Sequence, residues 1–133
     1  MTAGSDGMIN SLGAGAILLE EFDSALKRRV KIHAEVKGFS TTIQSQQSSQ
    51  TFDSKTIWYN IEDTLERSKL KPEDIDLVVV NGTGLEEADK AEAEALEETF
   101  GSSTAITGFK GQLGSTRMAA GAIESIIAIK SIE

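Results

Sequence analysis

The side chains that most often carry out catalysis are scarce in this sequence. Its 133 residues include no cysteine and one histidine, His33. Without a cysteine, the chain supplies no thiolate nucleophile, no thiolate zinc ligand and no disulfide. His33 falls on the polar side of a predicted strand, so a surface or interface position is favoured over a catalytic one. A cysteine-based active site cannot be built from these residues alone.

Two further patterns have both a chemical and a structural interpretation. Seven acidic residues lie between Glu86 and Glu98. No histidine joins them, which favours a solvated helix face over a metal site. Gly13 and Gly15 form a GxG pattern, but it precedes the strand that a nucleotide loop has to follow, so close backbone packing is favoured. We therefore assign no metal and no cofactor.

Length, composition and charge limit the class of protein. Hydrophobic residues at 39% and charged residues at 26% are typical of a globular chain, and the length allows one domain, residues 1–133. A net charge of −8 repels phosphate backbones and anionic lipid, which argues against nucleic acid and membrane partners. No basic residue precedes Lys27, and the apolar stretch 12–19 is too short to span a bilayer, so we expect a cytoplasmic protein.

Hydrophobic patterning predicts an α/β fold. In the first third of the chain, the apolar run 13–19 predicts a buried strand and the alternating segment 30–39 a half-exposed strand, with a short helix over 22–29. The Ser/Thr/Gln-rich tract 40–54 has no periodicity and predicts a flexible loop. Helical spacing of apolar residues then predicts a helix over 55–68.

The second half continues this alternation of strands and helices. A β-branched run predicts a parallel strand over 75–80, followed by the turn 81–84 (Asn-Gly-Thr-Gly) and a helix over 86–100 that Gly101 ends. A short strand is expected over 105–107 and a glycine-rich loop over 108–114.

A helix over 118–132 completes the pattern and is apolar on nearly every face. Such a helix must be buried, and without a cover it leaves a large exposed patch. The alternation implies a mostly parallel sheet with right-handed crossovers. Because the first strand has no partner upstream and no strand follows the last helix, we expect another polypeptide to complete the sheet.

Four stretches carry motifs in a common order and register. They are residues 6–21 (with GAGAILLEE), 31–39 (KIHAEVKGF), 70–83 (LKPEDID…NGT) and 110–124 (KGQLGSTRMAAGAIE). Through them the chain resembles the C-terminal part of the β-ketoacyl-acyl carrier protein synthases, the decarboxylating condensing enzymes of fatty acid and polyketide synthesis. The resemblance implies half of a thiolase-like layered sandwich with a mostly parallel sheet.

The departures from the family pattern concern its catalytic residues. The family uses a cysteine nucleophile and two histidines; Asn81 occupies the first histidine position and Ser115 the second, and the cysteine is expected upstream of Met1. The resemblance thus assigns no catalytic residue here. It makes Asn81, Thr83, Lys110 and Ser115 the substrate-pocket candidates. An amide donates a hydrogen bond but does not titrate, and no base is recognisable beside Ser115.

Each of these positions also has a structural interpretation. Lys110 either orients a loop by reaching carbonyls or a carboxylate, or is simply exposed. Ser115 and Thr116 lie where the last helix should begin, so helix capping is favoured over substrate contact. Asn81 also suits left-handed backbone geometry in a tight turn.

The pattern of losses is similar to that of the chain-length-factor subunits of polyketide synthases. It implies a non-catalytic subunit in fatty acid or polyketide chain elongation, paired with a ketosynthase subunit or a separately encoded N-terminal half, and meeting acyl carrier protein indirectly. One alternative is a part of an active condensing or decarboxylating acyltransferase whose cysteine and histidines come from another chain. Another is a binding module that kept only the fold.

Overall fold

The computed structural model describes residues 7–44 and 52–133. Two parallel strands and five helices form within these ranges. In chain order they are α1 (Phe22–Arg28), α2 (Ser54–Ser68), β1 (Leu77–Val79), α3 (Glu86–Phe100), β2 (Ala105–Thr107), α4 (Lys110–Leu113) and α5 (Ala120–Ser131), with 3-10 turns at Pro72–Asp74 and Arg117–Ala119.

The strands β1 and β2 pair in parallel and are connected through α3. Leu77 lies opposite Ala105 and Val79 opposite Thr107. The N–H of Val80 donates to the carbonyl of Thr107 at 2.8 Å, which extends the pairing by one residue. A parallel pair needs such a crossover helix, and the α/β fold predicted from the patterning is confirmed.

The core lies where α2 and α3 pack beside the strand end. Val80, Leu96 and Phe100 are buried together, and Ile61 and Val78 pack against them. On α3 the buried residues recur at helical spacing, which is the pattern of one apolar face. These are Ala88, Ala91, Ala95, Leu96 and Phe100.

The ends of the long helices follow local capping rules. The Asp53 side chain accepts the Lys55 N–H at 3.2 Å, so α2 starts at Ser54, one residue before the predicted start. Helix α3 has the predicted bounds and ends at Gly101, whose φ of 58° few other residues adopt readily.

The two strands predicted over 13–19 and 30–39 are wrong for this structure. No hydrogen-bonded ladder forms along either segment within the described residues, and a strand exists only through such a ladder. Nor is the first segment buried, since Leu18 is 92% exposed. Its glycines nevertheless approach α5 closely: a Cβ on Gly15 would lie 3.0 Å from Cβ of Ala122 in α5.

The polar tract 40–54 falls partly outside the described residues, which omit 45–51. The described beginning of the tract is attached to α2. Thr42 Oγ1 donates to Asn60 Oδ1 at 3.0 Å, and Ser40 Oγ donates to the carboxylate of Asp63.

The final helix starts later than predicted, because a 3-10 turn precedes it. None of the residues of α5 is buried, as expected for an apolar helix without a cover. The apolar face therefore has only partial cover from the described part of the chain, and Met118 is 98% exposed. The predicted loop over 108–114 also contains the short helix α4, which starts where the Gln112 and Leu113 N–H groups donate to the Phe109 carbonyl.

Candidate functional site

A cleft of about 630 Å³ opens at the carboxyl ends of β1 and β2. Parallel strands end at one edge of a sheet, and α/β proteins bind ligands beyond that edge. The cleft is lined by Gly7, Ile9, Val80, Gly82, Thr83, Gly84, Asp89, Ile106, Thr107, Gly108, Lys110, Gly111, Gln112 and Ser115. It includes three of the four predicted pocket residues and excludes Asn81.

The turn 81–84 is held by two carboxylates of α3. The N–H groups of its first two residues donate to Glu92 at 2.7 and 2.9 Å. Those of its last two residues donate to Asp89 at 2.7 and 3.0 Å. The sequence analysis counted both acids only among the seven between Glu86 and Glu98 and gave them no individual role; the signal was their i, i+3 spacing directly after a strand-to-helix turn.

Asn81 is exposed, although its backbone is fixed by Glu92. The left-handed geometry predicted for Asn81 is wrong: positive φ angles occur at Gly82 (48°) and Gly84 (85°) instead. The glycines provide the conformational freedom of the turn, so the amide at Asn81 is not required by backbone geometry.

Thr83 lines the cleft with a hydroxyl that is already engaged on two sides. Its Oγ1 donates to Asp89 Oδ1 at 3.0 Å and accepts the Leu85 N–H at 3.1 Å. Since a hydroxyl has one donor and two acceptor sites, one acceptor site remains.

The Lys110 side chain is only 7% exposed and pairs with Glu124 of α5, whose Oε1 lies 2.6 Å from Nζ. Of the two interpretations left open by the sequence, the exposed one is wrong. The lysine reaches a carboxylate and thereby ties α4 to α5 beside the cleft.

Ser115 is 6% exposed and is held through its backbone. Its N–H donates to the Ile9 carbonyl at 2.7 Å, and its carbonyl accepts the Ser11 N–H at 3.0 Å, forming a parallel bridge with Asn10. The predicted capping role is wrong, because α5 has its N-cap at Ala119 and receives no side-chain cap.

Gly114 lets the segment before Ser115 approach the N-terminal segment closely. A Cβ on Gly114 would lie 2.8 Å from Cβ of Ser11, and φ is +70°. Gly13 makes a similar approach to Thr116, 2.9 Å from Cγ2. The packing interpretation of the glycines at 13 and 15 is thus confirmed.

His33 lies away from the cleft, with a side chain 54% exposed. Its Nδ1 contacts Glu133, which also accepts from Lys31 Nζ at 2.7 Å. Hydrogen bonds from Lys130, Lys31 and His33 hold the pKa of the Glu133 carboxyl well below its usual range. The surface position predicted for His33 is confirmed.

Charged and uncharged polar side chains line the cleft. Among the described residues, the ionisable ones that line it are Asp89 and Lys110, and both are bound to partners of this chain. Thr83, Thr107, Gln112 and Ser115 add hydroxyl and amide groups. Groups of these kinds donate hydrogen bonds to a ligand and accept them from it.

Neither a metal site nor a membrane span emerges from the described ranges 7–44 and 52–133. No three His, Asp or Glu side chains there are grouped to hold a metal ion. No helix there is both long and apolar enough to cross a bilayer.

Known proteins resemble this chain in sequence and in fold. Over 97% of its length it is 29% identical to 3-oxoacyl-acyl-carrier-protein synthase 2 of Coxiella burnetii, covering 32% of that protein. It is 33% identical over 91% of its length to a polyketide biosynthesis malonyl-ACP decarboxylase of Bacillus subtilis, covering 29% of it. The chain thus spans about a third of the length of these curated relatives.

Solved ketosynthases share its backbone arrangement. The ishigamide ketosynthase/chain length factor superposes with a TM-score of 0.77 at 29% identity, over 84% of this chain and 28% of that one. A beta-ketoacyl synthase from Burkholderia phymatum gives 0.77 at 32% identity, over 84% and 27%. Residues 33–133 match the family described as "Beta-ketoacyl synthase, C-terminal domain". The chain therefore belongs to the beta-ketoacyl synthase family through its C-terminal domain, as its motifs predict, and has the thiolase-like fold of these enzymes.

Proposed function

We propose that the chain is a non-catalytic beta-ketoacyl synthase subunit of chain-length-factor type, which acts in fatty acid or polyketide elongation through a partner ketosynthase. The proposal rests on the expectation that Asn81 and Ser115 occupy the family's two histidine positions, in a sequence without cysteine. An amide and a hydroxyl bind a carbonyl oxygen but do not shuttle protons at neutral pH.

The arrangement of the cleft supports a binding role. Its two ionisable groups are engaged in fixing the turn 81–84 and α5, and Ser115 is held by hydrogen bonds of its backbone. These contacts hold the residues that line the cleft in place, as is needed for a surface that shapes a bound acyl chain.

Exposed apolar side chains support a polypeptide partner. Leu12, Leu18 and Met118 are each more than nine-tenths exposed. Surfaces of this kind favour association. A ketosynthase is the proposed partner because the ishigamide ketosynthase/chain length factor is among the structural relatives. Acyl carrier protein, named in the Coxiella relative, would meet this chain only through that partner.

The second candidate is a part of an active condensing or decarboxylating acyltransferase whose cysteine and histidines come from another chain. It is favoured by the 33% identity to the malonyl-ACP decarboxylase of Bacillus subtilis. Decarboxylation needs stabilisation of the enolate oxygen, to which a hydrogen bond from Asn81 would contribute.

Reconstitution with candidate ketosynthases separates the two functions. The readouts are copurification, malonyl-ACP decarboxylation and product chain length for the wild type, Asn81→Ala and Ser115→Ala. The control is Ser102→Ala, an exposed serine outside the cleft.

Retained decarboxylation with altered product length supports the chain-length-factor role. Decarboxylation abolished by Asn81→Ala supports the active heteromer. If no ketosynthase binds, both proposals fail and a plain binding module is left.

A further inference from the structure

Asp89 and Glu92 lie on α3 and accept hydrogen bonds from the turn that precedes this helix. We propose that they are positioning residues, which fix the backbone of the turn 81–84 and thereby determine the direction of the Asn81 side chain and of the Thr83 side chain, which lines the cleft. The proposal rests on contacts within this chain, and only its test by product length relies on the proposed function.

Four successive N–H groups of the turn converge on two carboxylates. The order is pairwise: the N–H groups of residues 81 and 82 reach the two oxygens of Glu92, and those of 83 and 84 reach the two oxygens of Asp89, at 2.7 to 3.0 Å. Every carboxylate oxygen therefore has a backbone donor. Hydrogen bonds to an ionised acceptor are shorter and about twice as strong as neutral ones.

The two carboxylates accept hydrogen bonds from the backbone N–H groups that follow the last hydrogen bond between β1 and β2. The last ladder bond of this strand runs from the Val80 N–H to the Thr107 carbonyl. Beyond it no strand formed by the described residues lies beside the turn. The turn has positive φ angles at Gly82 and Gly84, and its consecutive N–H groups point at α3. Without Asp89 and Glu92 these groups would depend on water, and the turn would lose its defined position.

The helix face holds both carboxylates in place. Asp89 and Glu92 are half-buried and lie three residues apart, next to the buried Ala88 and Ala91. Because this face is packed in the core, the carboxylates act as fixed points. Asp89 also accepts a hydrogen bond from the Thr83 hydroxyl, so this one carboxylate fixes both the backbone and the side chain of Thr83.

Amide hydrogen exchange and NMR chemical shifts test the pairing directly. Glu92→Gln is expected to speed exchange at residues 81 and 82 and to move their amide shifts. Asp89→Asn is expected to do the same at residues 83 and 84. The change should be about tenfold or more, as for the loss of a hydrogen bond to a charged group. General destabilisation would instead affect all four amides alike.

Glu94→Gln is the matched control, because Glu94 is an exposed glutamate of the same helix. If either variant fails to fold, the wild-type amide shifts are followed while acid protonates the carboxylates. Movement of these four shifts at a pH where the amide shifts of the core residues stay in place supports the proposal. Unchanged shifts and exchange at all four amides, in the variants or in acid, overturn it.

The functional test of the proposal measures product length in the ketosynthase complex. Glu92→Gln is expected to reproduce the effect of Asn81→Ala, and the double variant should add nothing, because both remove the same positioned group. If Asn81→Ala changes product length but Glu92→Gln leaves it at the wild-type value, positioning by Glu92 is refuted. If Asn81→Ala itself has no effect, the proposed function fails and the amide experiment alone decides the positioning role.

Discussion

Lys110 Nζ lies 2.6 Å from Oε1 of Glu124, and the two side chains are only 7% and 18% exposed. The pair joins α4, which follows the second strand, to the last helix. Neither charge is well solvated, so each is stabilised chiefly by the other. Removal of one partner leaves an uncompensated charge, whereas removal of both does not.

Lys110→Ala should lower the free energy of unfolding by about 3 kcal/mol. The double variant Lys110→Met, Glu124→Met should recover most of that loss, because it leaves no unpaired charge. Urea denaturation measures both effects. Lys71→Ala is the control: its pair with Glu73 is 3.9 Å long and about three-quarters exposed, so it should cost well under 1 kcal/mol. Equal losses for Lys110→Ala and the double variant would contradict this account.

Gly114→Ala should destabilise the protein by about 2 kcal/mol, because it combines left-handed backbone strain with overpacking. The new Cβ would lie 2.8 Å from Cβ of Ser11 at a φ of +70°. Gly111→Ala is the matched control within the same sequence stretch. No atom lies within 4 Å of its added Cβ, and its φ is not positive, so alanine should be neutral or slightly stabilising. Thermal unfolding that ranks the two variants in the opposite order would refute the close-approach argument.

The elements that the sequence predicted well carry their own local signals. Helix α3 begins with acids and ends at Gly101, and β2 is a short apolar run between turn residues. In the site, three pocket residues met at one cleft because parallel strands end at one edge. The role of Asp89 and Glu92 was missed, because hydrogen bonds from backbone to side chain leave no hydrophobic periodicity.

The failed predictions concern features that depend on a neighbour. Segments 13–19 and 30–39 have strand-like composition, but pairing decides whether a strand exists, and composition does not supply it. The capping prediction at Ser115 failed for a similar reason. The distant segment around Ile9 binds the Ser115 backbone, so the helix starts later.

Ser11→Ala should leave the free energy of unfolding unchanged or raise it by up to about 1 kcal/mol. The Ser11 Oγ atom is buried and has no hydrogen-bond partner in the described part of the chain. The substitution removes a buried hydroxyl that has no hydrogen-bond partner there, and it keeps the Ser11 Cβ atom next to Gly114. The control is Ser24→Ala on α1, and chemical denaturation is the measurement. A loss beyond about 1 kcal/mol would mean that the hydroxyl makes a stabilising bond.

Asp63 joins the start of the polar tract to α2 and should make this attachment sensitive to acid. A hydrogen bond from Arg67 Nε at 2.8 Å, followed by one from Ser40, holds the pKa of Asp63 below its ordinary value of 3.8. The unfolded chain therefore takes up this proton at a higher pH than the folded one. The stabilisation is complete above the ordinary pKa and is lost as the pH falls through the lowered folded value.

Asp63→Asn should therefore be less stable than the wild type at neutral pH, and the difference should shrink as the pH falls below about 4. The chain's one tryptophan, Trp58, lies on the same helix and reports unfolding by fluorescence. Asp76→Asn, at an exposed aspartate, is the control and should not show this convergence. Because the Asp63 pair is on the surface, added salt should weaken the effect. Parallel stability profiles for the wild type and Asp63→Asn across the acid range would show that Ser40 and Arg67 do not hold this carboxylate in solution.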